Sequence, residues 1–473
     1  MYIDLHKYKD LSSDAKMIQA ALEEAKTCGK AVLIPKFNPR TGVDIYHIDE
    51  TMYLYDDTVL ILQNCHLRLT DGSICNMFSN KNARTDLGVQ HNIHIVGVGK
   101  PVLDGGVHNK LYEYNGIARK VMKPSSHHVT ENCMLFFQNV ERLIIENISI
   151  KDQRYWAICC IAVCHSRISN IHFSSAGNVP NQDGIDILKG CHDVIVENIT
   201  GCVGDDLVAL TATDSDLYCD AAKAKGAGDI HNITVRNIMG YGVGGCAMIR
   251  ILNHDGNRIY NVKIDNVIEC SPWAETDAPL AQNPDLIIKT DDEGNLLPVR
   301  TIIPGEDGYR MEACIRIGEP YWYAHTQAQH GDTFGISISN VMTHARFALC
   351  LNNTVKDATF DNIRVFGNGH MLAYMGKGQY ENLRFSNINY DADTKPHPGD
   401  QQVYVEWNEI KTEGFHSVYL NDAQLKNCRF QNLCVPAGVM DSVFGGQATG
   451  DASASQIISN GTPVSSVQGI RLD

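Results

Sequence analysis

Residues 181–210 read NQDGIDILKGCHDVIVENITGCVGDDLVAL. Two strand-like runs, each rich in β-branched residues, alternate with turns made of Asn, Asp and Gly. Asp183 precedes Asp205 by 205 − 183 = 22 positions. If the chain winds in coils of about that length, each coil stacks on the last at an inter-strand spacing of about 4.8 Å. Asp183 then falls one rung from Asp205 and Asp206, and three carboxylates share one patch of surface. The plainer alternative is a pair of Asx-rich turns with solvated acids.

The rest of the chain supports the coil. A phrase of Asn followed by a β-branched residue recurs at Asn147, Asn170, Asn198, Asn237, Asn266, Asn340, Asn362 and Asn387. The tight intervals are 23 (147 to 170), 22 (340 to 362) and 25 (362 to 387), and the longer ones imply loops inserted into coils. A β-rich period in the low twenties with Asn at the turns indicates a parallel β-helix, right-handed by the general preference of parallel crossovers. Stacked Asn side chains are expected to bond along the turn as a ladder. A β-sandwich would show strands at spacings of about 8–12 residues without this superperiod. Residues 12–28 read as an amphipathic helix capped by Ser13 or Asp14 and stopped by Gly29, placed to cover the open end of the stack. The whole chain, 1–473, reads as a single β-helix domain. The Gly- and Ser-rich tail after Val435 reads as a poorly specified cap. Two insertions interrupt the coils, at 105–132 and at 271–330. The second either walls the cleft or serves as a solvated flap or homo-oligomer contact.

The chain has 473 residues and a net charge of −15, with no long basic run, which argues against nucleic acid and anionic membranes as partners. The N-terminus MYIDLHKYKD shows no apolar leader, and the sixteen cysteines form no CxxC pair. Together these suggest a reducing, cytoplasmic location. Cys159, Cys160 and Cys164 fall in an apolar strand pattern and read as buried core thiols. Neither a metal-ligand set nor a cofactor motif is read. Gly240-x-Gly242-x-x-Gly245 matches a dinucleotide fingerprint by letters only, with no helix after it.

Three acids in one patch cannot all ionise freely, so a proton is held among them, and a protonated acid beside an ionised one is what glycoside hydrolysis requires. The order Tyr155-Trp156, then Asn181-Gln182-Asp183-Gly184-Ile185-Asp186, then Gly204-Asp205-Asp206 before an apolar strand resembles glycoside hydrolase family 28, the polygalacturonases and rhamnogalacturonases. The resemblance is strong over about residues 90–250. It implies a carbohydrate substrate of pectin type, Asp205 as general acid, and Asp183 with Asp206 activating the attacking water so that the anomeric centre inverts. It further implies that Asn181 orients Asp183 and that acid and base stand about 6.5–9.5 Å apart.

The sequence also departs from that pattern. The family's Gly-His-Gly triplet is replaced around residues 240–246, where Tyr241 or Cys246 takes the place of His, and its Arg-Ile-Lys is absent. Those groups contact a uronate carboxylate, so their loss puts galacturonate in doubt. Arg250 and Arg316 remain candidates for substrate contact, against the reading of each as an outward surface residue. Trp156 is a candidate sugar platform or a core residue. Asp186, alternating with Ile185 and Ile187, should point outward toward the cleft. Two other functions stay open: a polysaccharide lyase using Ca²⁺ and Arg250 as base, and a non-catalytic carbohydrate-binding β-helix.

Overall fold

The structure, a computed structural model, describes residues 2–106 apart from 86, then 131–175, 181–214, 228–242, 247–271, 313–318, 326–366, 371–391, 402–405, 408–411, 414–435, 438, 440–464, 467 and 470–472. Among the described residues strand accounts for 63% and helix for 6%, and the fold is all-β, a right-handed parallel β-helix with a capping helix. By its internal contacts the chain divides into two compact units. One holds Met1–Ala209; the other holds Leu210–Thr213 and most of the chain from Ile230 onward. Most of both insertions, including Tyr112, His127, Trp273 and Trp322, lies outside the described residues, as does Cys246.

The first unit starts with the helix Asp14–Cys28. Ser13 caps it, its Oγ accepting the Lys16 N–H at 3.3 Å. Gly29 ends it in a left-handed conformation, its N–H donating to Ala25 O. With Ser13 as the cap, Asp14 makes tertiary contacts instead. Its carboxylate accepts from Arg40 Nε at 2.7 Å and from the His47 N–H at 2.8 Å. Met17, Ile18, Ala21 and Leu22 are fully buried beneath the helix. Beyond it the coils repeat in register, with Leu135 opposite Ile158 and Ile158 opposite Ile185. These columns, and the one through Phe137, Cys160 and Ile187, form the interior.

The second unit repeats the scheme. Phe360, Phe385 and Phe430 occupy one interior column, their rings stacked at 4.6 and 4.7 Å. That distance matches the rise between coils, so each ring meets the next face to face with offset, worth about 0.5–1.5 kcal/mol per pair beyond burial.

The repeated Asn is explained by the corners. All eight of these residues have φ between 52° and 62°. A coil must bend sharply where one flat sheet meets the next, and one residue in left-handed geometry makes that bend. Asn tolerates the conformation better than other residues with a Cβ. The expected ladder is present: Asn170 Nδ2 donates to Asn147 Oδ1 at 2.9 Å and Asn198 Nδ2 to Asn170 Oδ1 at 3.0 Å. In the second unit Asn266 donates to Asn237 at 2.9 Å and Asn362 to Asn340 at 2.6 Å. The tail corrects the expectation of an ill-defined cap. Ser442–Ile458 pairs in parallel with His416–Cys434, and Ile470–Leu472 pairs with it in turn. Its small residues suit it to this: Ala448, Ala452 and Ala454 are buried.

Candidate active site

Asp183 is delivered by the turn that precedes the strand Ile185–Leu188. The Gly184 N–H donates to Asp206 O at 2.9 Å and the Ile185 N–H to Leu207 O at 3.0 Å. The same pattern one coil earlier, Ile158 N–H to Gly184 O with Ile158 opposite Ile185, fixes the register. Ile185 therefore stands opposite Val208, an offset of 208 − 185 = 23, one more than the spacing between Asp183 and Asp205. Asp206 stacks on Asp183, and Asp205 sits one residue earlier in the bend at Gly204 and Asp205. That bend lets neighbouring side chains share a side, which a straight strand forbids.

One carboxylate oxygen from each of Asp183, Asp205 and Asp206 lies within 4.8 Å of the other two. The convergence expected from the sequence is present, because stacking on adjacent coils brings the nearest oxygens of the three together. The three are buried, with relative exposures of 1%, 8% and 0%, so the group opens to solvent chiefly at Asp205 rather than in a wide cleft. Ile185, Ile187, Val208 and Leu210 are all fully buried, as expected. Gly204 is required for room, not for its backbone angle: a Cβ there would lie 2.6 Å from Gln182 Oε1 and 2.7 Å from Gln182 Cβ.

Sequence reasoning missed the group that holds this turn. Gln153 and Gln182 are buried and clasp each other across two coils. Gln153 Nε2 donates to Gln182 O and Asp183 O, both at 3.1 Å, and Gln182 Nε2 donates to Gln153 O at 2.6 Å. Ser175 Oγ donates to Gln153 Oε1 at 2.7 Å. The available signal was Gln182 itself, standing between Asn181 and Asp183 where the family pattern has Thr.

The remaining candidates fall in several places. Asn181 has φ 55° and turns the chain into the Asp183 rung, a backbone role. Asp186 is fully buried on the outer side of its strand, in register with Cys159 and, one coil further, Phe136. Trp156, at 4% exposure, is packed away in the turn before Ile158 and is no open sugar platform. Arg250 and Arg316 lie in the second unit, opposite each other on adjacent coils, with Cys350 and Tyr374 continuing the column. The surface reading of both is corrected: they are 6% and 0% exposed. They alternate with Ile249, Ile251, Ile315 and Ile317 and so face away from the coil interior, but that outer face is covered. Arg250 Nη2 donates to Thr211 Oγ1 at 3.4 Å. Cys164 is likewise no core thiol; it is half-buried at a corner of the coil.

No family model matches this chain, and no curated protein matches it by sequence. Solved structures do match its fold. The A-module of a mannuronan C-5 epimerase from Azotobacter vinelandii aligns over 98% of this chain and 100% of its own, with 12% identity and a TM-score of 0.54. A polygalacturonase from Erwinia carotovora aligns over 81% of this chain and 92% of its own, at 14% identity and a TM-score of 0.51. The tailspike protein of E. coli bacteriophage HK620, solved with a pentasaccharide, aligns over 93% of this chain and 72% of its own, at 13% identity and a TM-score of 0.56. At these identities the likeness is one of fold.

Proposed function

We propose that the chain is a glycoside hydrolase acting on a pectin-type or related oligosaccharide, with Asp205 as general acid and Asp183 and Asp206 as the pair that activates water. The observation that carries this reading is the group of three buried carboxylates within 4.8 Å, with Asp205 the most exposed. Asp205 is the one placed to meet a glycosidic oxygen, to which it gives its proton as the bond to C1 breaks. A water hydrogen-bonded at about 2.8 Å to each of two oxygens fits between groups up to about 5 Å apart. Asp183 and Asp206 therefore suit a shared water, which attacks C1 from the opposite face and loses its proton to them. Inversion follows if that face is the one attacked. The polygalacturonase among the structures of similar fold adds weight to a pectin-type substrate.

The test is a panel of aryl glycosides and pectic oligosaccharides, with the anomer of the first product read by NMR. Asp205→Asn should lower turnover by about 10²–10⁴-fold with the fold retained. Undiminished turnover in that variant would remove Asp205 from the mechanism. The same carboxylate trio is also a geometry for a hard cation such as Ca²⁺. Unsaturated, ultraviolet-absorbing products that disappear with chelator would favour a lyase instead.

A further inference from the structure

A second side-chain group in the first unit has a different chemistry. Cys164 stands directly opposite His192 on the next coil. The residues that follow each of them, His165 and Asp193, have φ of 51° and 54° and occupy the left-handed corner position. The next corner of the same coils holds Asn147, Asn170 and Asn198, joined as a ladder. Here the corner column instead runs Asn92, Arg142, His165, Asp193. The left-handed bend lets consecutive side chains share a side, so Cys164, His165, His192 and Asp193 form a two-by-two array on the outer surface.

One ligand atom from each of Cys164, His165 and His192 lies within 4.8 Å of the others. The two imidazole rings stand edge to face with centroids 5.6 Å apart. Asp193 Oδ2 is 2.7 Å from His192 Nδ1 and 3.7 Å from His165 Nδ1. A carboxylate on one ring nitrogen fixes the tautomer of a histidine and leaves the other nitrogen for a metal. The side chains of His165 and His192 are 53% and 35% exposed, so an ion reaches them from solvent.

The geometry points to a binding site for a thiophilic divalent transition metal, Zn²⁺ foremost, formed by Cys164, His165 and His192, with Asp193 as fourth ligand or as the group that orients His192. Sulfur and imidazole donors select such ions over Mg²⁺ or Ca²⁺. Tetrahedral ligation at 2.0–2.3 Å needs donors roughly 3.5 Å apart, so donors already within 4.8 Å of one another need close by no more than about an ångström on binding. The metal ties residues 164–165 to residues 192–193, the two ends of the segment that carries Asp183. Binding to the folded state alone then raises stability by mass action.

The experiment uses the full chain, stripped of metal, titrated with Co²⁺. The expected result is one saturable equivalent with tetrahedral d–d absorption and a thiolate-to-cobalt charge-transfer band, displaced by Zn²⁺, and a higher melting temperature with either ion. Cys164→Ser should abolish the charge-transfer band, and His192→Gln should weaken binding at least tenfold. Both variants should keep the wild-type circular dichroism. Cys202→Ser and Asp205→Asn should leave the band intact, which separates this site from a half-buried thiol on the same coils and from the carboxylate trio. Absence of saturable binding, or a charge-transfer band that survives in Cys164→Ser, would overturn the proposal.

Discussion

Replacing Gln153 by alanine removes the amide that holds the Asp183 turn, and the cost can be worked from its bonds. Three are lost: two from Nε2, to Gln182 O and Asp183 O at 3.1 Å, and one to Oε1, from Ser175 Oγ at 2.7 Å. The two carbonyls keep a second partner each, since Gly204 N–H donates to Gln182 O at 2.9 Å and Ala157 N–H to Asp183 O at 3.0 Å. The expected loss is therefore the net value of three hydrogen bonds, about 0.5–1.5 kcal/mol each, with a part for the cavity, or about 2–4 kcal/mol in all. A chain of two units need not unfold in one step, so the assay is local: hydrogen exchange at the amides of Ala157, Gly184 and Gly204. At tenfold per 1.4 kcal/mol, exchange there should quicken roughly thirty- to several-hundred-fold, while amides of the helix Asp14–Cys28 are unchanged. A change below about threefold at all three amides would refute the clasp as the element that positions Asp183.

Further outcomes test other parts of the structure. Gly201→Ala should destabilise the first unit severely, because its φ is 103° and a Cβ would lie 1.9 Å from Phe173 O; a melting curve within 1–2 °C of wild type, a shift of about 1 kcal/mol or less, would count against the pairing of Gly201 with Phe173. In the second unit, fully buried Glu269 accepts from the Ser271 N–H at 2.7 Å, the His344 N–H at 3.0 Å and Thr343 Oγ1 at 3.2 Å. Glu269→Ala leaves these donors buried without their acceptor and should cost about 3–5 kcal/mol, read by urea denaturation. For Asp104, burial pushes the carboxyl pKa up, but the hydrogen bonds from His66 and the Gly106 N–H, with Lys151 nearby, outweigh it and hold the pKa below the usual range. A depressed folded pKa means stability that is complete above the unfolded value and lost as pH falls through the folded one. Asp104→Asn should therefore flatten the fall in stability below about pH 4, and an unchanged acid limb would contradict it.

The sequence by itself determined the coil, its corners and the meeting of the three aspartates. The eight repeated Asn residues carried that information because a left-handed corner has few acceptable occupants, and every one of them was found there. The Asp183 and Asp205 spacing was close enough to one coil that an error of one residue in register still brought the carboxylates together. Only the tertiary structure decided which residues support and surround them. Coil length varies with each insertion, so the partner of a given residue one rung away cannot be counted from the sequence; the Gln153–Gln182 clasp and the Cys164–His192 pair both depend on that register. Burial of Arg250 and Arg316 was hidden for a related reason. Strand alternation tells which side of the sheet a residue faces, but not whether another segment of the chain covers that side.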